Sequence, residues 1–487
     1  MSLVEFMSEM VSQGVRLRVE DGELAVSAPK GVLTAEMRNR ILARRTELLS
    51  LLSGVAPAGS NEAAAIPRVA DSNAMPLSFA QERLWFVTQL EADSTAMDGN
   101  GRSALFNIHI PLYMRGPLDL SVLSACLHEI YRRHDCLRTL FFVRDGVPMQ
   151  RVECNAPLDL SEADLSMIPV EQRRMALEAF LREQSDTPLD LLNGPVFRCR
   201  LIRLADDEIV LLMSVHHIVA DGWSVEILFR ELTALYRAFR AGRPSPLPRL
   251  SIRYGDYAIW QRSRFERNQL HEALNYWRES LDGIGTLLLA TDRGRSAVQR
   301  FKGALREQIL PKQLLVKIKT LGQRVGATPF MTLLAGFMVL LHRHSGQDRI
   351  VVGSPVANRE HPELAGLIGF FVNNLVLSLQ LAGQQSFIAV LANVRKICLG
   401  AYAHQEIPFE KLVDELQPQR DLSRNPFFQV VFTHQGPSGG SLQLEDFELC
   451  VLPSEVRSTR FDLECHVVES SQGLAVRFVY NTDLFDA

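Results

Sequence analysis

The chain has 487 residues, 47% of them hydrophobic and 22% charged, which is too long for one ordinary core and ordinary for a globular protein. A formal charge of −4 gives no electrostatic footprint for nucleic acid, and no apolar run approaches the roughly 18–20 residues of a membrane span. The acidic start MSLVEFMSEM is not a secretory signal, and seven scattered cysteines without a CxxC read as reduced thiols in a cytoplasmic protein.

Residues 1–53 read as a small separate unit. Leu3, Phe6, Met7, Met10 and Val11 share a short helical face. Val15–Glu20 and Glu23–Ser27 alternate around Asp21-Gly22, the pattern of a hairpin with a two-residue turn. Thr34 is placed to cap a last helix whose Met37, Ile41, Leu48 and Leu52 align, with Arg38, Arg40, Arg44 and Arg45 around them. Those arginines fit a solvated face as well as a binding face. Residues 54–75, rich in Ala, Gly, Pro, Ser and Asn, form a linker.

The fold resumes at Pro76, with Ser78 placed to cap a helix from Phe79. Residues 91–103 read as a polar loop. A strand follows over 106–114, a helix over 120–133, a strand leading out of 134–143, a charged helix over 170–185 and an alternating strand over 197–204. Prolines and glycines place a boundary between two lobes at about 240–265, so 76–255 and 256–487 are taken as the lobes. The second half repeats the mixture: helices over 330–344 and 388–403, and strands over 349–354, 427–433 and 474–480. Between them 366–379 reads as an apolar strand interrupted by Asn373-Asn374. Alternating strands and helices in both halves indicate an α/β architecture.

The stretch around which the rest is organised is 208–239, EIVLLMSVHHIVADGWSVEILFRELTALYRAF. An apolar run suited to a buried strand ends in His216-His217, and Val225, Leu228, Leu232, Leu235 and Phe239 mark a helical face after Asp221-Gly222. Adjacent strand side chains point to opposite faces, so one histidine at most addresses a given cavity. A neutral imidazole there can accept a proton from an amine or hydroxyl. Gly222 permits a backbone conformation or close approach that a side chain would forbid. Taken alone, the pair fits two structurally satisfied histidines equally well. Metal binding lacks the ligand spacing. The literal G-x-S-x-G at 436–440 runs into strand-like alternation, where a nucleophile elbow needs a helix.

HHIVADGWS (216–224) resembles the HHxxxDG signature of condensation domains of non-ribosomal peptide synthetases. Six further stretches match that family's motifs in its own order: PLSFAQERLWF (76–86), RRHDCLRTLF (132–141), YGDYAIWQR (254–262), IGFFVNNLVL (368–377), HQEIPFEKLVDEL (404–416) and RDLSRNPFFQVVF (420–432). The resemblance implies two chloramphenicol-acetyltransferase-like lobes in a V-shaped pseudo-dimer with a tunnel between them, preceded by a small αβ docking domain. It implies amide formation between a donor acyl or peptidyl thioester and an acceptor aminoacyl thioester. Both would be carried on phosphopantetheine arms of partner carrier proteins, with no cofactor bound to this chain itself. His217 would face the tunnel, accompanied by His216, Asp221 and Gly222 in the catalytic motif, and Asp221 would pair with Arg359. The AQERLWF and FVNNLVL stretches look more like domains taking an L-configured donor, with Asn374 standing where Thr is commoner. A non-catalytic condensation-like platform and an epimerisation domain are the alternatives. The first 53 residues resemble TubC-like N-terminal docking domains, which implies recognition of the C-terminal tail of an upstream subunit through the hairpin edge and Arg38–Arg45. With no adenylation or carrier motif, and an end short of the family's closing helix, the chain reads as a piece of a larger synthetase.

Overall fold

The computed structural model describes residues 16–20, 23–27, 34, 37, 41, 65–70, 74–96, 104–267, 270–296, 299–417, 421, 423–436, 447–453, 455–470 and 472–487. The chain divides into two compact units, Met1–Ala65 and Ile66–Ala487.

In the first unit β1 (Arg16–Glu20) pairs antiparallel with β2 (Glu23–Ser27), and Glu20 faces Glu23, the register of a two-residue connection. Thr34 Oγ1 accepts a hydrogen bond from Met37 N at 3.2 Å, an N-cap contact ahead of the buried, helical Met37 and Ile41. Arg38, Arg40, Arg44 and Arg45 lie outside the described residues, as do Leu3–Val11, Leu48 and Leu52.

The second unit runs β3 (Met75–Pro76), α1 (Phe79–Ala96), β4 (Asn107–Arg115), α2 (Leu120–Arg133), β5 (Thr139–Arg144), β6 (Val147–Val152), β7 (Asp159–Asp164) and α3 (Val170–Asp186). It continues through β8 (Phe197–Ala205), β9 (Glu208–His216), α4 (Gly222–Arg240), α5 (Tyr254–Glu266), α6 (His271–Leu281), β10 (Gly303–Pro311), α7 (Lys312–Gln323) and α8 (Pro329–Ser345). The last elements are β11 (Arg349–Val356), β12 (Asn373–Gln380), α9 (Phe387–Ala403), α10 (Phe409–Leu416), β13 (Val430–Gln435), β14 (Glu448–Val451), β15 (Leu463–Ser470) and β16 (Gly473–Asn481).

Two mixed sheets carry the architecture, ordered β14-β4-β9-β8-β7 and β10-β16-β15-β13-β11-β12, with a small third sheet β3-β6-β5. Each large sheet has its own apolar core. One collects Leu211, Met213 and Val215 of β9 with Leu228, Leu232 and Leu235 of α4, and the other Val352 of β11 with Leu334 and Met338 of α8. β9 is central and nearly all buried, so its near-continuous apolar run is what burial on both faces demands. The halves of the chain are not segregated. β14, from the second half, pairs with β4 of the first sheet, and Leu364, Leu367, Ile368, Phe370 and Phe371 join the first core.

Two local expectations change. Residues 91–96, read as loop, continue α1. Gly366–Val372 is not strand; β12 starts at Asn373. The stretch is apolar because it enters the first core, and Asn373 anchors the strand instead of interrupting it. Its Nδ2 donates to the carbonyls of Gln405 (2.8 Å) and Ile407 (2.7 Å), while Oδ1 accepts from Phe409 N at 2.9 Å. A buried amide with its hydrogen bonds made carries no penalty at a strand end.

Candidate functional site

The end of β9 turns sharply. A short helical turn over His217–Val219 follows His216, and α4 begins one residue after Asp221 N-caps it. The two histidines part company at once. His216 is 1% exposed, and its Nδ1 accepts from Ile218 N at 3.1 Å, which places its proton on Nε2. Burial, with His217 adding to it, pushes its pKa down to about 3.

His217 is only partly buried. Its amide donates to Phe106 O at 2.7 Å, and its Nδ1 lies 2.8 Å from Ala220 O. A carbonyl accepts and never donates, so Nδ1 carries the proton and Nε2 keeps its lone pair. The Phe370 ring meets the imidazole edge to face at 4.9 Å. Burial, followed by the charge of Arg460, lowers the His217 pKa to about 4. At neutral pH the imidazole is therefore uncharged, of fixed tautomer, with one nitrogen available as a base.

Asp221 makes no use of its charge for His217's orientation. Its Oδ1 accepts from Ser224 N (2.8 Å), from the Ser224 hydroxyl (2.7 Å) and from Arg359 Nη2 (3.0 Å); Oδ2 accepts from Phe371 N at 3.1 Å. Arg359 donates through Nη1 to Leu364 O (2.7 Å) and Leu367 O (2.5 Å), and its plane lies 4.1 Å from the Phe371 ring centroid. The side chains of the pair are 0% and 2% exposed, so the charges are out of water and survive because both are hydrogen-bonded. Burial lowers the Arg359 pKa and Asp221 opposes that shift.

Gly222 opens α4. Its φ is not left-handed, and a Cβ built there meets nothing within 4 Å, so neither backbone strain nor a close neighbour demands glycine. The Gly222 Cβ position is open, and at this helix start the N–H groups of Gly222 and Trp223 have no acceptor within the helix.

Three residues from the other motif stretches, not singled out in the sequence, support this turn or the 364–371 segment packed on it. Gln81 Nε2 donates to Ile218 O at 3.2 Å, inside the histidine turn itself. His134 accepts from Ile368 N at 3.5 Å and binds buried Glu231 through Nε2 at 2.8 Å. Tyr254 donates its hydroxyl to Phe370 O and lies 2.8 Å from Ser78 Oγ. Arg460, outside every motif stretch, is the remaining addition. Among the described residues no three His, Cys, Asp or Glu side chains are grouped to hold a metal, and no helix is long and apolar enough to cross a membrane. Ser438 lies outside the described residues.

Comparison with known proteins gives the family. Residues 71–487 match the family model described as Condensation domain, and residues 3–53 the one described as TubC N-terminal docking domain. The chain is 40% identical over 430 residues to phosphinothricin tripeptide synthetase PhsC of Streptomyces viridochromogenes, covering 87% of this chain and 38% of that protein. It is 38% identical over 415 residues to chondramide synthase cmdD of Chondromyces crocatus, 85% of this chain and 10% of that one. The chain thus spans about a tenth to two fifths of these relatives' lengths. Among solved structures, the X-domain from teicoplanin biosynthesis superposes with a TM-score of 0.76 at 26% identity, covering 87% of this chain and 93% of that one. The first condensation domain of the CDA synthetase does so at 0.70 and 23%, covering 85% and 92%, a likeness of fold alone.

Proposed function

The chain belongs to the condensation-domain family of non-ribosomal peptide synthetases, with a TubC-type docking domain at its N-terminus, and from that premise we propose that it forms amide bonds between two carrier-bound thioesters. The observation that carries the reading is the His217 imidazole, neutral and with its lone pair on Nε2, in the turn that leads into the N-terminus of α4. The acceptor amine attacks the donor thioester carbonyl, and Nε2 orients the amine and takes its proton as the C–N bond forms. The carbonyl oxygen gains negative charge, which the Gly222 and Trp223 amides and the positive end of α4 favour. The C–S bond then breaks, and the proton passes to the departing thiolate. Both reactants arrive on phosphopantetheine arms of partner carrier proteins, upstream donor and downstream acceptor, so an encounter of two free molecules becomes an oriented one. His216 and Asp221 hold the turn. An L-configured donor is the finer reading, supported by the AQERLWF and FVNNLVL stretches. The division at 53, 75 and 255 and a cytoplasmic location belong to the same reading.

The test is transfer between two separately loaded carrier proteins, followed by intact-protein mass spectrometry. The donor mass should move onto the acceptor carrier, and His217→Ala should slow that by about 10²–10⁴-fold while both carriers still bind. Undiminished transfer in His217→Ala removes the histidine from the reaction. Carrier binding with no transfer by the parent favours a second reading, a platform without chemistry. One observation favours it: a relative of this fold, at 26% identity, is solved as a complex of the X-domain with OxyB.

The docking unit takes the C-terminal tail of an upstream subunit along the β1–β2 edge, with Arg38, Arg40, Arg44 and Arg45 meeting its acids. Binding of an acidic tail peptide should weaken as salt rises, and a salt-independent affinity excludes the arginine face.

A further inference from the structure

Arg460 belongs to the second sheet's connection into β15, yet its head group lies against Phe106, the residue just before β4 of the first sheet. Its backbone is pinned: Arg460 O accepts from Gln299 Nε2 (3.0 Å) and Asn425 Nδ2 (2.6 Å), and its neighbours Thr459 and Phe461 are buried. The guanidinium carbon sits 5.9 Å from the centroid of Phe106. Phe106 is the residue whose carbonyl receives the His217 amide and whose ring packs against His216 at 6.2 Å.

This cation is not neutralised at contact distance among the described residues. The acid that acts on it most, Glu464, gives its Oε1 to the Thr459 hydroxyl (2.7 Å) and its Oε2 to His466 Nε2 (3.1 Å). Arg83, also facing Arg460, adds positive charge and is itself held by Glu410 at 3.6 Å. Among the described residues, the charged and titratable groups acting on His217 are Asp221, already paired with Arg359, His216, which burial keeps neutral, and Arg460. Of these, Arg460 alone combines a net charge with a position on the other sheet.

We infer that Arg460 is a positioning residue through which the second sheet keeps both the His217 imidazole and an incoming acceptor amine uncharged. A fixed cation in a poorly screened place disfavours a second positive charge nearby, whether on imidazole or on an α-ammonium. An amine is a nucleophile only without its extra proton, so the same field that keeps the base free also readies the nucleophile. The negative charge that develops on the donor carbonyl oxygen is favoured by that field. The role of the amine rests on the amide-forming reading above; the effect on the imidazole does not.

The experiment separates them. In the full 487-residue chain, imidazole resonances are titrated by NMR, with His217 assigned by its loss in His217→Ala. Arg460→Met should raise the His217 pKa by about one unit, while Arg460→Lys leaves it near the parent value. In the carrier-to-carrier assay the acid limb of the rate–pH profile should move up with it in Arg460→Met and return in Arg460→Lys. An Arg460→Met protein that melts as the parent with an unmoved His217 titration overturns the inference, as does Arg460→Lys behaving like Arg460→Met. If Arg460→Met does not fold, Arg460→Gln carries the same two readouts. A shifted titration in a chain that transfers nothing upholds the electrostatic coupling and sinks the amide-forming reading.

Discussion

Two segments meet at this site, and they hold their shapes by a different balance of near and distant bonds. The turn over 216–224 is built largely from bonds to itself: Ile218 N to His216, His217 to Ala220 O, Ser224 N to Asp221, each within three residues, with His217 N to Phe106 O and Gln81 to Ile218 O tying it to its surroundings. Segment 364–371 contributes Phe370 and Phe371, and beyond the local turn at Leu364–Leu367 its bonds run across the chain. Phe371 N reaches Asp221 150 residues away, Gly369 N reaches Ser224 145 away, and Ile368 N reaches His134 234 away. The first is a local motif that its own sequence can shape. The second is an apolar stretch without regular hydrogen bonding, ordered by what it docks against. Asp221 serves both, capping α4 with one oxygen and clamping Phe371 and Arg359 with the other and with shared bonds. The histidine turn therefore takes much of its form from local bonds, while the segment packed over it is set from afar.

That contrast breaks most visibly at the clamp. Asp221→Ala leaves the Arg359 guanidinium buried and unpaired, and equilibrium denaturation should show a loss of about 3–5 kcal/mol. Replacing both partners by apolar residues, Asp221→Leu with Arg359→Met, should recover much of that loss, because no lone buried charge remains. The α4 cap is still absent in the double variant, so recovery should stop about 1 kcal/mol short. A single variant as stable as the parent, and merely inactive, shows instead that the carboxylate's work is chemical and that segment 364–371 does not depend on it.

The same division governs what was legible in the residues. The change from a run of apolar residues to a three- and four-residue spacing located β9 and α4 to within a residue or two, because periodicity is a local property. Ser78 and Thr34 were legible as caps for the same reason. Segment 366–372 was misread as strand, since an apolar run does not say which neighbour buries it. The polar run after residue 90 concealed the last turn of α1. Arg359 was accessible only through resemblance to a family. Gln81, His134 and Tyr254 stood in stretches that carry that resemblance, yet their convergence on Ile218, Ile368 and Phe370 spans 116 to 234 residues. Arg460 carried no signal at all; it matters because of where a second sheet's connection ends.

The smallest change sharpens the comparison furthest, because it alters the locally bonded turn without touching the clamp. Glycine at 222 was read as a conformational need, but the backbone there is ordinary and a methyl group meets nothing within 4 Å. Gly222→Ala should therefore fold well, with stability unchanged or raised by up to about 1 kcal/mol from the lower entropy cost of ordering alanine. Its methyl would enter the open space beside the first turn of α4. If the donor carbonyl is held there, displacement by about 1 Å should cost on the order of 10²-fold in the transfer rate. Thermal melting and the carrier-to-carrier assay on the same preparation give both numbers. A variant that melts normally and transfers at the parental rate would mean that the open space at the start of α4 is not where the thioester lies, and the oxyanion would have to find its donors elsewhere along the cleft.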